Sequence, residues 1–303
     1  MITQFEDYCL WMYVAVDELW PTVAPLCRRP GPAPVCSDSE LVTMVLVGES
    51  RGWDEETDLV REWRARRDLF PHVPERSRFN RRRRALARAI NELRRATLRP
   101  LDLAVDRQCA IDSLPVPALQ SHLVPSSPAV GHWKEHGAAF GKVTTKKQTI
   151  FGYKLQLLVT LNGVIVDFLL APANVNDLEA GAELLAKHRD LLVLGDKGYL
   201  SDPVAADLLA AAGITLFTVP RKNQRVHLPP ALAALHTRWR QIVETVNGQL
   251  ADLLHIEENH AHSFDGLCAR LYSKLTAHTL AVYVNRLLGA PDCLHLKALA
   301  FPN

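Results

Sequence analysis

The sequence predicts an α/β protein in which a mixed sheet is flanked by helices and preceded by a helical region. Three observations predict it. Apolar residues recur at helical spacing through residues 1–100. From Leu101 onward, short apolar runs bounded by turn residues take over, among them LLVLGD at Leu191 to Asp196. Helical stretches then alternate with those runs, the order that builds a partly parallel sheet. The 303 residues allow one large domain or two ordinary ones. The reading divides them into a helical region (1–100), a sheet-bearing domain (101–290) and a tail (291–303).

Phe5 to Trp20 reads as the first helix. Arg28 to Cys36 is a Pro/Gly-rich connector. Ser37-Asp38-Ser39-Glu40 has the form of a capping box opening the LVTMVLVGE helix. A further helix covers Asp54 to Arg67 and ends by Phe70-Pro71. The next starts near Ser77, with Phe79, Leu86, Ile90 and Leu93 on its apolar face. Its other sides carry Arg78, Arg81, Arg82, Arg83 and Arg84 within a longer arginine run. Net charge is only +2, so this run is a local concentration. Four consecutive arginines repel one another unless something anionic lies beside them, which points to nucleic acid phosphates rather than a merely solvated face. Several short helices ending in a basic one suggest a helix-turn-helix-like DNA-binding region.

Leu101 to Asp112 reads as a strand ending in Ile111-Asp112, and Ser113 to Gln148 as loop. Phe151 to Thr160 and Val164 to Leu170 form a hairpin around Leu161-Asn162-Gly163. A helix begins at Asn176-Asp177 and reaches about His188. Leu191 to Asp196 is a strand, Pro203 to Ala212 a helix with Pro in its first turn, and Ile214 to Val219 another strand. Helical patterns cover Pro230 to Leu254 and the chain after Phe264. Asp177 and Asp202 are expected as helix caps, and His255, His260 and His262 as surface residues.

No window approaches the ~18 apolar residues of a membrane span. The acidic start MITQFEDYCLW has no basic n-region, so the expectation is a cytoplasmic protein with no membrane partner. Six scattered cysteines form no C-x-x-C pair, so neither a zinc ribbon nor a disulfide framework is indicated. His132 and His136 have i, i+4 spacing but no evident third ligand, and a DNA-contacting loop is preferred there.

The chemistry concentrates in carboxylates. Asp196 stands at the carboxyl end of a buried strand, where open α/β sheets place ligands, although Asp beside Gly also begins ordinary turns. Asp112 ends the first strand in the same way. Phosphodiester chemistry commonly uses two divalent metals about 3.5–4 Å apart, and Mg²⁺ prefers oxygen ligands from separate parts of the chain. A third carboxylate comes from TRWRQIVETVNGQLADLL. There Trp239, Ile242, Val243, Val246, Leu250 and Leu253 form the buried face, with Arg240, Glu244, Asn247 and Gly248 in the adjacent stripe. Alone, Arg240 and Glu244 read as a surface pair; beside two strand-end aspartates, Glu244 reads as part of a site. Asp106, Asp167 and Glu257 are rival carboxylates.

In this order Asp112, Asp196 and Glu244 resemble the RNase H-like catalytic core of bacterial insertion-sequence transposases of the DDE type. SRFNRRRR (Ser77 to Arg84), AIDSLPVP (Ala110 to Pro117), GYKLQLLV (Gly152 to Val159), LGDKGYL (Leu194 to Leu200) and the RxxxET pattern at Glu244 resemble the branch named for insertion sequence 982. The resemblance runs from about Ser37 to Gly289. It implies that Asp112, Asp196 and Glu244 bind two Mg²⁺ ions, with Mn²⁺ as a substitute. It further implies that the protein cleaves the terminal inverted repeats of its element and joins the freed 3′-hydroxyl to target DNA, as a homodimer on double-stranded DNA. Lys197 and Tyr199 would flank the scissile DNA, with Lys154 and Arg240 as further contacts; a turn lysine and a packed tyrosine remain the alternative for the first two. Thr237 and Ala251 stand where many related transposases carry a tyrosine and a basic residue. The rival functions are a nuclease of the same fold and a non-catalytic DNA-binding derivative.

Overall fold

The computed structural model describes residues 2–27, 31–101, 107–143, 148–218, 230–258 and 260–302, in which the chain divides into two units. The first takes in Met1–Leu101, Gly248–Ile256 and His260–Asn303. It holds helices α1 (Phe5–Val23), α2 (Asp38–Ser50), α3 (Glu56–Arg64) and α4 (Arg76–Thr97). After α4 come the six described β-strands and four helices of the second unit, named below, and then the first unit resumes with its last two helices. The capping box forms as its residues require: Ser37 Oγ accepts from the Glu40 amide, and Glu40 accepts from the Ser37 amide. The expected face of α4 is also present, with Phe79, Leu86, Ile90 and Leu93 fully buried.

The second unit is Asp102–Asn247 with Glu257–Asn259. Its elements in order are β1 (Gln108–Leu119), α5 (Val130–Glu135), β2 (Ala139–Val143), β3 (Gln148–Thr160), β4 (Ile165–Pro172), α6 (Asp177–Leu185), β5 (Leu192–Gly195), α7 (Asp202–Ala212), β6 (Thr215–Thr218) and α8 (Pro230–Gly248). The first unit then adds α9 (Phe264–Leu287) and α10 (Leu296–Ala300). Helix α10, in the stretch expected as a tail, falls in the helical unit, and α9 packs on α4 and α2. Helix α9 is buried on every side from Ser273 to Asn285, as α2 is from Leu41 to Ser50. Helices enclosed all round are central ones.

That enclosure includes charge. Glu49 on α2 is paired with Arg83 of α4 and, at 2.8 Å, with Lys274 of α9. Lys274 also reaches Asp54 at 2.8 Å, and Asp54 is 2.5 Å from His255 Nδ1. The cations hold the Glu49 carboxyl below its usual range against the opposing effect of burial. His255 is thus tied to Asp54 instead of lying free on the surface.

The six described strands form one mixed sheet, ordered β2-β3-β1-β5-β6 with β4 also on β3. Strand β3 runs antiparallel to β1 along one edge, while β2 and β4 share its other edge end to end. β5 lies parallel to β1 and β6 parallel to β5. Three antiparallel strands continued by parallel ones joined through helices is the mixed sheet expected of an RNase H-like core.

Two expectations change here. Asp112 does not end β1, which continues to Leu119. Pro115 and Pro117 made that stretch read as loop, but both lie past the last residue that β5 pairs, on a free strand edge where Pro is accepted. Likewise α5 and β2 occupy part of the segment expected as loop. Asp106 and Val219 lie outside the described residues.

Candidate active site

The register of β1 and β5 brings the first two carboxylates together. Ile111 pairs with Gly195 in the last parallel step, so Asp112 and Asp196 follow side by side on neighbouring strands. Adjacent strands lie ~4.8 Å apart. Strand β5 stops there because Asp196 turns the chain: its Oδ1 accepts the Gly198 amide at 2.7 Å and caps a single 3₁₀ turn, Lys197–Tyr199. Alternation along β1 sends Ile111 to the side packed on α6 and Asp112 to the opposite face.

Asp112 is held from two sides. Oδ1 accepts the Ser113 amide at 2.8 Å, and Oδ2 accepts Asn247 Nδ2 at 2.7 Å. Its carboxyl is nevertheless pushed up to about 6, first by burial and then by the negative charges of Asp196 and Asp177, against the two hydrogen bonds that favour the charged form. The environment is electronegative.

Helix α8 supplies the other side. Of the face read from the periodicity, Trp239, Val243 and Val246 are buried, as is Leu250 in the π-helical turn after α8, while Ile242 and Leu253 are half-buried. The adjacent stripe carries Arg240, Glu244 and Asn247. Asn247 reaches Asp112, whereas Glu244, one turn earlier, is exposed and accepts Arg240 Nε at 2.7 Å. Arg240 is held above its ordinary range first by this contact with Glu244 and then by the charges of Asp196 and Asp112. Its guanidinium thus lies within electrostatic reach of all three carboxylates. Among the described residues no three His, Cys, Asp or Glu side chains are arranged to hold a metal ion, Glu244 being turned to Arg240. The donors themselves suit a hard cation: carboxylate oxygens in an electronegative setting, and beside them Asn247 Oδ1, buried without a partner among the described residues. Asn247 stood in the stripe read from the sequence, but nothing in that spacing distinguished it from a solvated residue.

Tyr199 and Lys154 are placed differently from expectation. Tyr199 is buried in a seat made by two glycines: a Cβ at Gly181 would lie 2.6 Å from its ring, and one at Gly195 2.9 Å from its own Cβ. Its hydroxyl donates to Gln156 Oε1 at 2.5 Å. Gln156 Nε2 and Lys154 Nζ both donate to Asp177 Oδ1 at 3.1 Å, and Lys154 also reaches the Val175 carbonyl. Lys154 and Tyr199, expected as DNA contacts, thus belong to an internal network on the α6 face, opposite Asp112. Asp177 is correspondingly a network member; Asn176 caps α6, and Asp202 is the first residue of α7, after Ser201. Lys197 is exposed beside Asp196. The rival Asp167 is engaged by His188 at 3.1 Å.

The basic run on α4 divides in the same way. Arg78, Arg81, Arg84 and Arg88 are exposed along one stripe. Arg82 and Arg83 are buried, against Asp38 at 2.6 Å and against Glu49 and Glu56. Arg82 and Arg83, expected as DNA contacts, thus answer internal anions in this structure. The rings of His132 and His136 lie 4.4 Å apart and tilted by 47°, on and just after α5, and they belong to no group of three metal-ligating side chains among the described residues.

Comparison with curated proteins and with solved structures found no match. A family profile described as "Transposase DDE domain" matches residues 104–280, more than half of the chain and a span that includes Asp112, Asp196 and Glu244. The chain belongs to the transposase DDE domain family.

Proposed function

We infer that this transposase binds the terminal inverted repeats of its own element, cleaves the DNA at their borders and joins the freed 3′-hydroxyl to target DNA, with Asp112, Asp196 and Glu244 as its catalytic carboxylates. The observation that carries the reading is the emergence of Asp112 and Asp196 side by side where β5 ends, with the Asp112 carboxyl pushed up to about 6 by burial and by its acidic neighbours. Within the family, the motifs around Ser77, Asp112, Gly152, Asp196 and Glu244 support the branch named for insertion sequence 982.

Two divalent ions, Mg²⁺ or Mn²⁺, would be held by these carboxylates, supplying Lewis acidity and charge neutralisation at phosphorus. The chain's own contribution is placement. β1 and β5 hold two carboxylates rigidly, and Asn247 fixes the rotamer of Asp112. Glu244 joins them on leaving Arg240, whose guanidinium is then free for a phosphate. Lys197 is placed to hold a second phosphate beside Asp196. Hydrolysis and strand transfer are both in-line displacements at phosphorus, first by water and then by the 3′-hydroxyl, so one site serves both. The exposed arginines of α4 bind the duplex through its phosphates. Bringing two ends together calls for two copies of the chain on DNA, and the cytoplasm is the compartment proposed.

The test uses a DNA fragment carrying this gene with its flanking sequence, purified protein and Mg²⁺, with nicks mapped to the nucleotide. The expected result is Mg²⁺-dependent cleavage at the borders of inverted repeats, lost in Asp196→Asn, with joined product. The exposed position of Asp196 limits the folding cost of that change to about 0.5 kcal/mol. Cleavage without joining would favour a nuclease. Binding at the borders with no cut in Mg²⁺ or Mn²⁺ would favour a non-catalytic derivative.

A further inference from the structure

Asn247 is an unusual neighbour for a catalytic carboxylate. It lies one turn beyond Glu244 on α8, and its Nδ2 donates to Asp112 Oδ2 at 2.7 Å. An ionised carboxylate only accepts, so the amide must present its NH₂ there, and that fixes its orientation. The carbonyl oxygen is thereby turned away from Asp112. Among the described residues it is buried with no hydrogen-bond partner. Buried oxygens without partners are rare and costly, and each calls for an explanation. This one lies in the same electronegative setting as Asp112, which a divalent cation would complement.

We propose that Asn247 is a further residue of the cation site: its Nδ2 positions the Asp112 carboxylate, and its Oδ1 supplies a neutral oxygen toward a divalent ion. The inference rests on the reading of Asp112 and Asp196 as ion ligands. An amide in this place also explains how α8 can approach Asp112 without adding a negative charge. A leucine would satisfy neither group, and an aspartate would face Asp112 carboxylate to carboxylate unless a cation lay between them.

The test is direct Mn²⁺ binding to the full chain without DNA, followed by the loss of the free-ion paramagnetic resonance signal, with thermal melting of each variant alongside. Wild type is expected to bind Mn²⁺, and Asp196→Asn to abolish it. Asn247→Ala is expected to weaken binding ~10-fold or more, the effect of removing a side chain that orients a ligand. Asn247→Asp, nearly isosteric, is expected to melt below wild type without Mn²⁺ and to gain more stability from the ion than wild type does. Unchanged Mn²⁺ affinity in Asn247→Ala, with binding still dependent on Asp196, overturns the inference and leaves the reading of the aspartates standing; a lowered melting point alone does the same. Absence of any Asp196-dependent binding in wild type overturns both.

Discussion

His278 shows how strongly a single enclosed side chain registers its surroundings. It lies within α9 with Nε2 2.9 Å from Gln249 Oε1, and burial pushes its pKa down to about 3 from an ordinary 6.5. Below pH 6.5 the unfolded chain takes a proton that the folded one refuses until about pH 3. Stability is therefore lost as pH falls through that window, by ~1.4 kcal/mol per pH unit for one proton. His278→Gln is expected to flatten this part of the curve when urea unfolding is followed from pH 7 to pH 4; an unchanged slope would show that the imidazole titrates normally. Gly181 makes a steric case of the same kind. Its Cβ would fall 2.6 Å from the Tyr199 ring, so Gly181→Ala is expected to destabilise the chain by about 1–3 kcal/mol. Calorimetric melting reads this out, and a variant as stable as wild type would mean that Tyr199 is free to shift.

At the scale of the element, α4 is one helix with two kinds of arginine. Arg78, Arg81 and Arg84 are exposed; Arg83 is enclosed with Glu49 and Glu56. Alanine at any exposed position is expected to lower the salt dependence of DNA affinity by ~0.9 in the log–log slope, the release of one phosphate counterion, with little effect on folding. Fluorescence anisotropy against salt concentration measures that slope. Arg83→Ala instead leaves Glu49 enclosed with one cation fewer and is expected to cost about 3–5 kcal/mol in urea unfolding. If Arg83→Ala folded normally and only weakened DNA binding, the buried pairing would not exist in solution. The sequence showed the run of like charges and the apolar stripe beside it, but four adjacent arginines span every side of a helix. Which side is inward depends on residues 34 and 44 positions away, namely Glu49 and Asp38.

For the whole molecule, the first hundred residues do not close their own core. Helix α9 packs on α4 and α2; Thr276 Oγ1 donates to the Ile90 carbonyl at 3.0 Å, and Arg286 donates to the Leu101 carbonyl at 2.6 Å. A fragment of residues 1–101 therefore leaves the fully buried faces of α2 and α4 uncovered. It is expected to lack a cooperative thermal transition and to show weak near-ultraviolet dichroism, unlike the full chain. A cooperative melt of that fragment would restore it as an independent domain.

Sequence alone was enough for whatever depends on neighbours in the chain. The capping box at Ser37, the hairpin around Gly163, the strand running into Asp196 and the buried stripe of α8 follow from local spacing and turn chemistry, and they proved sufficient to point to Asp112, Asp196 and Glu244 as candidates. Only the tertiary structure decided which polar groups face one another. It set Asn247 against Asp112, Glu244 against Arg240, Lys154 and Gln156 against Asp177, and Tyr199 into a glycine-lined seat. The physical reason is that a charge or hydroxyl has no periodic signature of its own: its role is set by the partner that compensates it after burial, and that partner is brought near by the packing of sheet and helix rather than by sequence distance.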